Sequence, residues 1–494
     1  VNHALLVALF GLVILLAPAP ASADFGTWCE LRTGRFQLIS DLEEQPLRDL
    51  LALLNRFHEI AQPYLPGNPG ARPAPLKIVI FSERRDFLDL TGKRNFAGFM
   101  QPSLQTNRLL VGATPDRLTE IVLHEYAHYL LRSRLDISLP TWFDEGLASL
   151  LGSMRFDGDQ AVIGALPVGR MADLLRGQRD GDPTIPSLGR VLKAGSVESW
   201  PQQEIDAFYL CSWLLAHYLY FGHLEGLPDQ RGQLAEYLQQ RDASLTAYLG
   251  LSERRLLKAL DHYLRNQVPL EQVRAPAGIE SVVGGYECLD EFGRDHELAK
   301  AIMARYPERA RSLLELHMDA HSRNADLLVT LSRIAHAEDD EQTSQRLAEA
   351  AITLDPGSAN AMINLAEVRV QDCLFNIDDY CRERWAEAAT LHRAALRREP
   401  SRFDAVLGLG VSYLYTDRPG EAVNYLKVTY SHAPWAAVTN YYLGESYRMI
   451  GDSRARPYLN NALNWADLAV WRRLAEESLR LLDSPAASGE GPLR

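Results

Sequence analysis

Beginning at Pro115, apolar residues recur at Leu118, Ile121, Val122, Leu130 and Leu131, a spacing that buries one side of an α-helix. Thr114 is placed as its N-cap, Pro115 as its first helical residue, and Asp116 where the helix dipole favours a negative charge. The pattern breaks from Asp136 to Pro140, and Pro140 or Thr141 opens a second helix through Glu145, Leu147, Leu150 and Leu151. An antiparallel pair of this kind brings Glu145 back towards His128. Upstream the pattern is mixed. Trp28 to Ser40 alternates as a strand does, Glu43 to Tyr64 has helical periodicity, and Pro75 to Phe81 contains the compact apolar strand Leu76-Lys77-Ile78-Val79-Ile80. Two further short strands are predicted at Ala97 to Gln101 and Asn107 to Gly112, giving an α+β lobe. After Gly152 the chain reads as mostly helical, with a polar loop near Gly177 to Pro186 and helices at Gln203 to Phe221 and Leu249 to Gln267.

The Pro- and Gly-containing span 271–293 reads as a linker, and beyond it the sequence repeats itself. Leu409, Gly410 and Tyr413 recur 34 positions later as Leu443, Gly444 and Tyr447, and Pro400 recurs as Pro434. Leu331 and Leu365 are again 34 apart, whereas Pro356 and Pro400 are separated by 44, the ten extra residues falling around Cys373 to Cys381. This period resembles the tetratricopeptide repeat, which implies stacked helix pairs in an all-α solenoid. Ala422, Gly410 and Gly444 occupy the positions where paired helices approach closely. Weaker units before Asp326 and after Ala437 are expected to cap the array. Such arrays bind proteins or peptides in a concave groove, or scaffold a neighbouring domain.

Composition narrows the class. A net charge of −13 over 494 residues argues against a general nucleic-acid binder, which needs a basic footprint. Leu5 to Ala17 form an apolar run of signal-peptide length, followed by Ala21-Ser22-Ala23, a small-x-small cleavage form. The expectation is a secretory signal over 1–23, no later transmembrane span, and an extracytoplasmic, periplasmic location. In that oxidising setting a local disulfide between Cys373 and Cys381 is one expectation for the cysteines. The odd total of five leaves at least one thiol free or paired with another chain, and Cys211 lies in an apolar helical stretch.

The chemistry concentrates in His124-Glu125-Tyr126-Ala127-His128 and Trp142-Phe143-Asp144-Glu145-Gly146. Helical residues i and i+4 share a face, with Cβ atoms roughly 5–6 Å apart, so His124 and His128 can put two imidazoles on one Zn²⁺. A catalytic zinc usually takes a third protein ligand, and the second helix offers Asp144 or Glu145. The two-part pattern resembles the gluzincin metallopeptidases, nearest to the bacterial peptidase MA-like branch. That resemblance implies His124, His128 and Glu145 as zinc ligands and Glu125 as general base. It also implies Tyr209, on the helix after the zinc motif, as a group beside the scissile carbonyl, its alternative being a packing tyrosine. His217 and His223 read as structural or surface residues. In gluzincins the sheet edge before the zinc helix lines the substrate cleft, which implies Thr106 to Val111 as a strand that pairs with a peptide, or else an ordinary sheet strand.

The resulting expectation is an α+β gluzincin-like peptidase domain over 24–270, a linker over 271–293, an all-α tetratricopeptide solenoid over 294–483 and a disordered tail over 484–494. It is an exported zinc peptidase acting on a peptide or protein, with a protein partner in the repeat groove. The competing readings are a non-catalytic envelope scaffold and a zinc amidase acting on cell-wall peptide.

Overall fold

The computed structural model describes residues 26–68, 76–92, 97–101, 103–112, 114–134, 139–167, 187–195, 197, 200–240, 243–265, 268–275, 284–373, 378–466 and 469–483. The expected signal segment, polar tail and loop over 177–186 lie outside these residues.

Residues expected to form one alternating strand instead make a hairpin, β1 (Cys29–Arg32) and β2 (Phe36–Ser40), with the turn closed by Thr33 and Phe36. Helix α1 (Glu44–Ala61) and the fully buried strand β3 (Leu76–Phe81) follow. Then come α2 (Arg84–Thr91), β4 (Gly98–Gln101), β5 (Asn107–Gly112), α3 (Pro115–Arg134) and α4 (Thr141–Gly152). The main sheet has the order β4-β5-β3-β2-β1-β9, where β9 is Gly285–Cys288. Strands β2, β3 and β5 run parallel, while β4, β1 and β9 are each antiparallel to a neighbour.

Why β3 has no exposed face is clear from its two cores. Side chains alternate across a strand, so Ile78 and Ile80 enter a core with α1 and α3, while Val79 and Phe81 enter another on the opposite face. That second core is completed by α2 and by Leu298, Ile302, Leu314, Leu327 and Leu331 of the helical region. The helices therefore cover the sheet directly.

The part after α4 is mostly helical as expected but also carries strands that the sequence did not indicate. Strands β6 (Arg155–Asp157), β7 (Gln160–Ile163) and β8 (Glu271–Arg274) form a second, antiparallel sheet. Between β7 and β8 lie α5 (Leu188–Leu192), α6 (Gln202–Phe221), α7 (Arg231–Gln240), α8 (Leu245–Tyr248) and α9 (Glu253–Arg265). The span 271–293 thus supplies a strand to each sheet, which corrects its reading as a linker. Its composition hid this because both strands are short and largely exposed. Cys29 and Cys288, opposite each other in β1 and β9, are joined by a disulfide, as are Cys373 and Cys381, and Cys211 is a free thiol.

The helical region starts with α10 (Glu291–Ile302) and α11 (Pro307–Glu315). Four helix pairs follow: α12 (Ala325–Ala337) with α13 (Glu341–Leu354), α14 (Ala359–Arg369) with α15 (Asp379–Arg398), α16 (Phe403–Tyr415) with α17 (Pro419–His432), and α18 (Ala437–Met449) with α19 (Ala455–Asn464). Helix α20 (Ala469–Asp483) closes the array. Where the ten extra residues fall, a disulfide joins Cys373, after α14, to Cys381 in α15. The period has a physical counterpart in polar contacts between residues 34 apart, Asn360 to Asp326 and Arg333 to Glu367. A methyl on Gly410 would press against Leu426, and one on Gly444 against Leu459, each within 2.8 Å, which is the close approach the pattern predicts. This half of the chain is a tetratricopeptide-like all-α array. Among the described residues no helix is long and apolar enough to cross a membrane.

Candidate metal centre

Helix α3 opens where the sequence places it, with the Arg117 and Leu118 amides bonded to the Thr114 carbonyl. One side of α3 packs on the sheet through Val122, Tyr126 and Leu130, while His124 and His128 turn towards α4. Both histidines are buried, at 8% and 4% exposure, so their polarity requires a partner.

The partner is Glu145. His124 Nε2 and His128 Nε2 lie 3.2 Å apart, and Glu145 Oε2 stands 3.4 Å from the first and 3.3 Å from the second. Ligands about 2.0–2.1 Å from a tetrahedral zinc are separated by about 3.3–3.4 Å, so the three atoms have the spacing of one face of such a site. Glu145 Oε2 is buried without a hydrogen bond of ordinary geometry. A buried carboxylate oxygen facing two imidazole nitrogens is the donor set that suits Zn²⁺, and the residues present fit that ion. Among the described residues, this is the one group of three such side chains placed to hold a metal.

Asp144 is resolved as a supporting residue. Its Oδ1 accepts from His128 Nδ1 at 2.8 Å and its Oδ2 accepts from Arg132 at 3.0 Å. With Nδ1 carrying the proton, His128 presents the lone pair of Nε2 towards His124 and Glu145. Burial opposes charging His128, but the Asp144 and Glu145 carboxylates outweigh it and raise its pKa to about 10 in the metal-free site. Burial opposes charging Asp144 as well, and His128 and Arg132 overcome this to lower it to about 2. Against the same burial penalty, His128 and His124 hold Glu145 well below the ordinary carboxylate range. Asp144→Asn should weaken zinc binding by roughly 10–100-fold, because the amide loses the charge that orients His128 and pairs with Arg132. Competition against a chelating indicator measures this, and an affinity equal to wild type would remove Asp144 from the site's support.

Two glycines let α4 reach its neighbours. A Cβ on Gly152 would fall 2.8 Å from His124 Cα, and one on Gly146 would fall 2.3 Å from the Ser212 carbonyl oxygen of α6. The close α4–α6 contact fixes the residue beside Gly146, which is Glu145. Gly146→Ala should therefore cost about 1–3 kcal/mol of stability as the helices separate, read as a lower urea midpoint. An unchanged midpoint would mean that the helices have more room than this packing indicates.

Glu125 is half-buried on α3, and the position of its side chain is set by β4, since a Cβ on Gly98 would lie 3.1 Å from Glu125 Cγ. Tyr209 is also brought to the site. Its ring centroid is 6.3 Å from that of His124, edge to face. His217 is distant in role, buried and bonded to the Tyr263 hydroxyl and the Gly164 carbonyl, and so is structural as read. Of the two readings of Thr106 to Val111, the structure gives the ordinary sheet strand. Strand β5 is paired on both sides, to β3 and β4, so its backbone groups are already used, and among the described residues the edge strand beside Glu125 is β4. Sequence reasoning missed the supporting roles of Gly98, Gly152 and Arg132, because each depends on which elements meet.

No protein-family model matches the chain, and no curated protein does. Solved structures that resemble part of it include TTC0263, a thermophilic TPR protein in Thermus thermophilus. It is 17% identical over 38% of this chain and 98% of that one, with a TM-score of 0.33. Another is Pseudomonas aeruginosa PilF, 16% identical over 39% of this chain and 91% of that one, with a TM-score of 0.29. A third is MamA from AMB-1, 18% identical over 36% and 99%, with a TM-score of 0.27. At scores this low the resemblance is partial, and the repeat architecture rests on the helix pairs themselves.

Proposed function

We propose that the chain is an exported zinc-dependent metallopeptidase with a protein-binding helical array. The observation that carries this reading is the convergence of His124 Nε2, His128 Nε2 and Glu145 Oε2 next to a half-buried Glu125. A Zn²⁺ held by the three ligands supplies Lewis acidity and lowers the pKa of water. Glu125 is the general base, taking a proton from the attacking water and returning it to the leaving amine. Tyr209, beside His124, is assigned a hydrogen bond from its hydroxyl to the substrate carbonyl as negative charge develops there. The edge of β4, paired on one side only among the described residues, is assigned to an extended peptide by strand addition. The array is assigned to binding a protein partner or the substrate protein.

The test is digestion of a diverse peptide library by the zinc-loaded full chain, with and without chelator. Defined cuts that stop on chelation are the expected result. A chain that holds one zinc and cuts neither peptides nor muropeptides would overturn the peptidase reading and the amidase alternative together, and leave a binding protein.

A further inference from the structure

The tip of the β4–β5 hairpin is held by the far end of the helical array. Leu104 is buried at 8% exposure against Ala433 and Trp435, with Phe403, Leu407 and Trp465 packed around them. Polar contacts fix its register. The Phe403 amide donates to Gln105 Oε1 at 3.0 Å, and His432 Nε2 donates to the Leu104 carbonyl at 3.0 Å. The Phe403 and His432 rings stack with centroids 3.6 Å apart, so the two residues that grip the tip also brace each other. Next to the grip, the Ser103 amide donates to Asn107 Oδ1 at 2.9 Å, tying the residue before Leu104 to the start of β5. A second hold lies on β4, where the Arg305 guanidinium sits 5.5 Å from the Phe99 ring centroid.

This grip bears on the metal centre because β4 is the strand against which Glu125 lies. Gly98 pairs with Val111, and a Cβ added to it would lie 3.1 Å from Glu125 Cγ and 3.1 Å from the Leu110 carbonyl oxygen, so β4 and Glu125 are in close contact there. A β4 of four residues, paired on one side among the described residues, has few bonds of its own to hold its place. The chain of contact therefore runs from α16–α18 through Leu104 to β4 and Glu125.

We propose that the helical array is a clamp on the β4–β5 hairpin, with Leu104, Gln105, Phe403, His432 and Trp435 as positioning residues for β4 and, through it, for Glu125. The clamp stands on contacts present whatever the chemistry, while its catalytic consequence rests on the peptidase reading above. The array's hold on the hairpin tip is thus part of what positions β4 beside Glu125.

The test uses the full chain carrying Leu104→Asp, Leu104→Met or Trp435→Ala, the last loosening the grip from the array side. Hydrogen exchange followed by mass spectrometry should show the amides of 98–101 exchanging at least tenfold faster in Leu104→Asp and Trp435→Ala, with those of 124–131 unchanged. Leu104→Met should behave as wild type. Zinc content should stay at one per chain, and kcat for a cleaved peptide should fall about tenfold while KM moves less. Wild-type exchange at 98–101 in both disruptive variants would overturn the clamp. Exchange is read without hydrolysis, so a chain that binds zinc and cuts no peptide counts against the peptidase reading, and the exchange result alone then decides the clamp.

Discussion

Replacing Glu125 by glutamine is expected to lower peptide hydrolysis by roughly 10²–10⁴-fold, the range that a positioned general base contributes, while the chain still holds one zinc. The amide keeps the size of the side chain against Gly98, so α3 and β4 have no reason to move. On the proposed reading it removes only the carboxylate assigned to accept the proton. His124, His128 and Glu145 keep their mutual spacing of 3.2 to 3.4 Å, which is why metal content should not follow activity. Zinc stoichiometry and kcat measured on the same preparation separate the two effects. Full hydrolysis by Glu125→Gln with zinc bound would take the base role away from Glu125 and reopen the question of which group near the metal removes the proton. Loss of zinc together with activity would instead give Glu125 a structural part in the site.

The second large effect is expected at the other end of the sheet. Removing the bridge between Cys29 and Cys288 by the double change Cys29→Ser and Cys288→Ser should cost about 2–5 kcal/mol. The bond spans 259 residues of sequence, so its loss restores much freedom to the unfolded chain. It also frees β9, whose only strand neighbour among the described residues is β1. Because β9 leads into α10, and α10 supplies Leu298 and Ile302 to the core on that face of the sheet, the junction with the helical array should loosen as well. For a chain region of this size the thermal midpoint should drop by roughly 5–15 °C. Calorimetry of the variant beside wild type, and of wild type with reductant, makes the measurement. A midpoint shared by all three samples would show that the sheet and the array are held by packing alone, without help from the bond. Reduction also opens the bridge between Cys373 and Cys381, which are only eight positions apart, so any excess effect of reductant over the double variant reports on the turn between α14 and α15.

These two experiments examine parts of the molecule that were unequally visible before the fold was known. The two histidines could be read because a helix puts positions i and i+4 on one face whatever surrounds it. That the second helix returns an acidic pair, Asp144 and Glu145, alongside the first could be read from the short break between them, whereas the preference for Glu145 came from the resemblance to the gluzincin motif. The repeats were legible for the same local reason, since each helix pair must present small residues such as Gly410 and Gly444 where its neighbour approaches. Strands β8 and β9 were illegible. Four residues of mixed polarity carry too little pattern to distinguish from a connection, and they become strands only because β7 and β1 offer open edges. The choice between Asp144 and Glu145 is of the same kind. Both are acidic and adjacent, and the rotation of α4 imposed by Gly146 and Gly152 aims one at the two Nε2 atoms and the other at Nδ1 and Arg132.

Features encoded at short range were already fixed along the chain: the helix carrying His124, Glu125 and His128, the helix carrying Glu145, the apolar strands, and the repeat period. Packing between distant elements settled the rest. It set which strand is the open edge, which cysteine meets Cys29, which acid supports the site, and that Leu104 is gripped by Phe403, His432 and Trp435. The physical reason is separation along the chain. Local pattern fixes a residue's face within its own element, whereas contacts such as Gln105 with Phe403, 298 positions apart, exist only once several cores have packed and brought distant elements together.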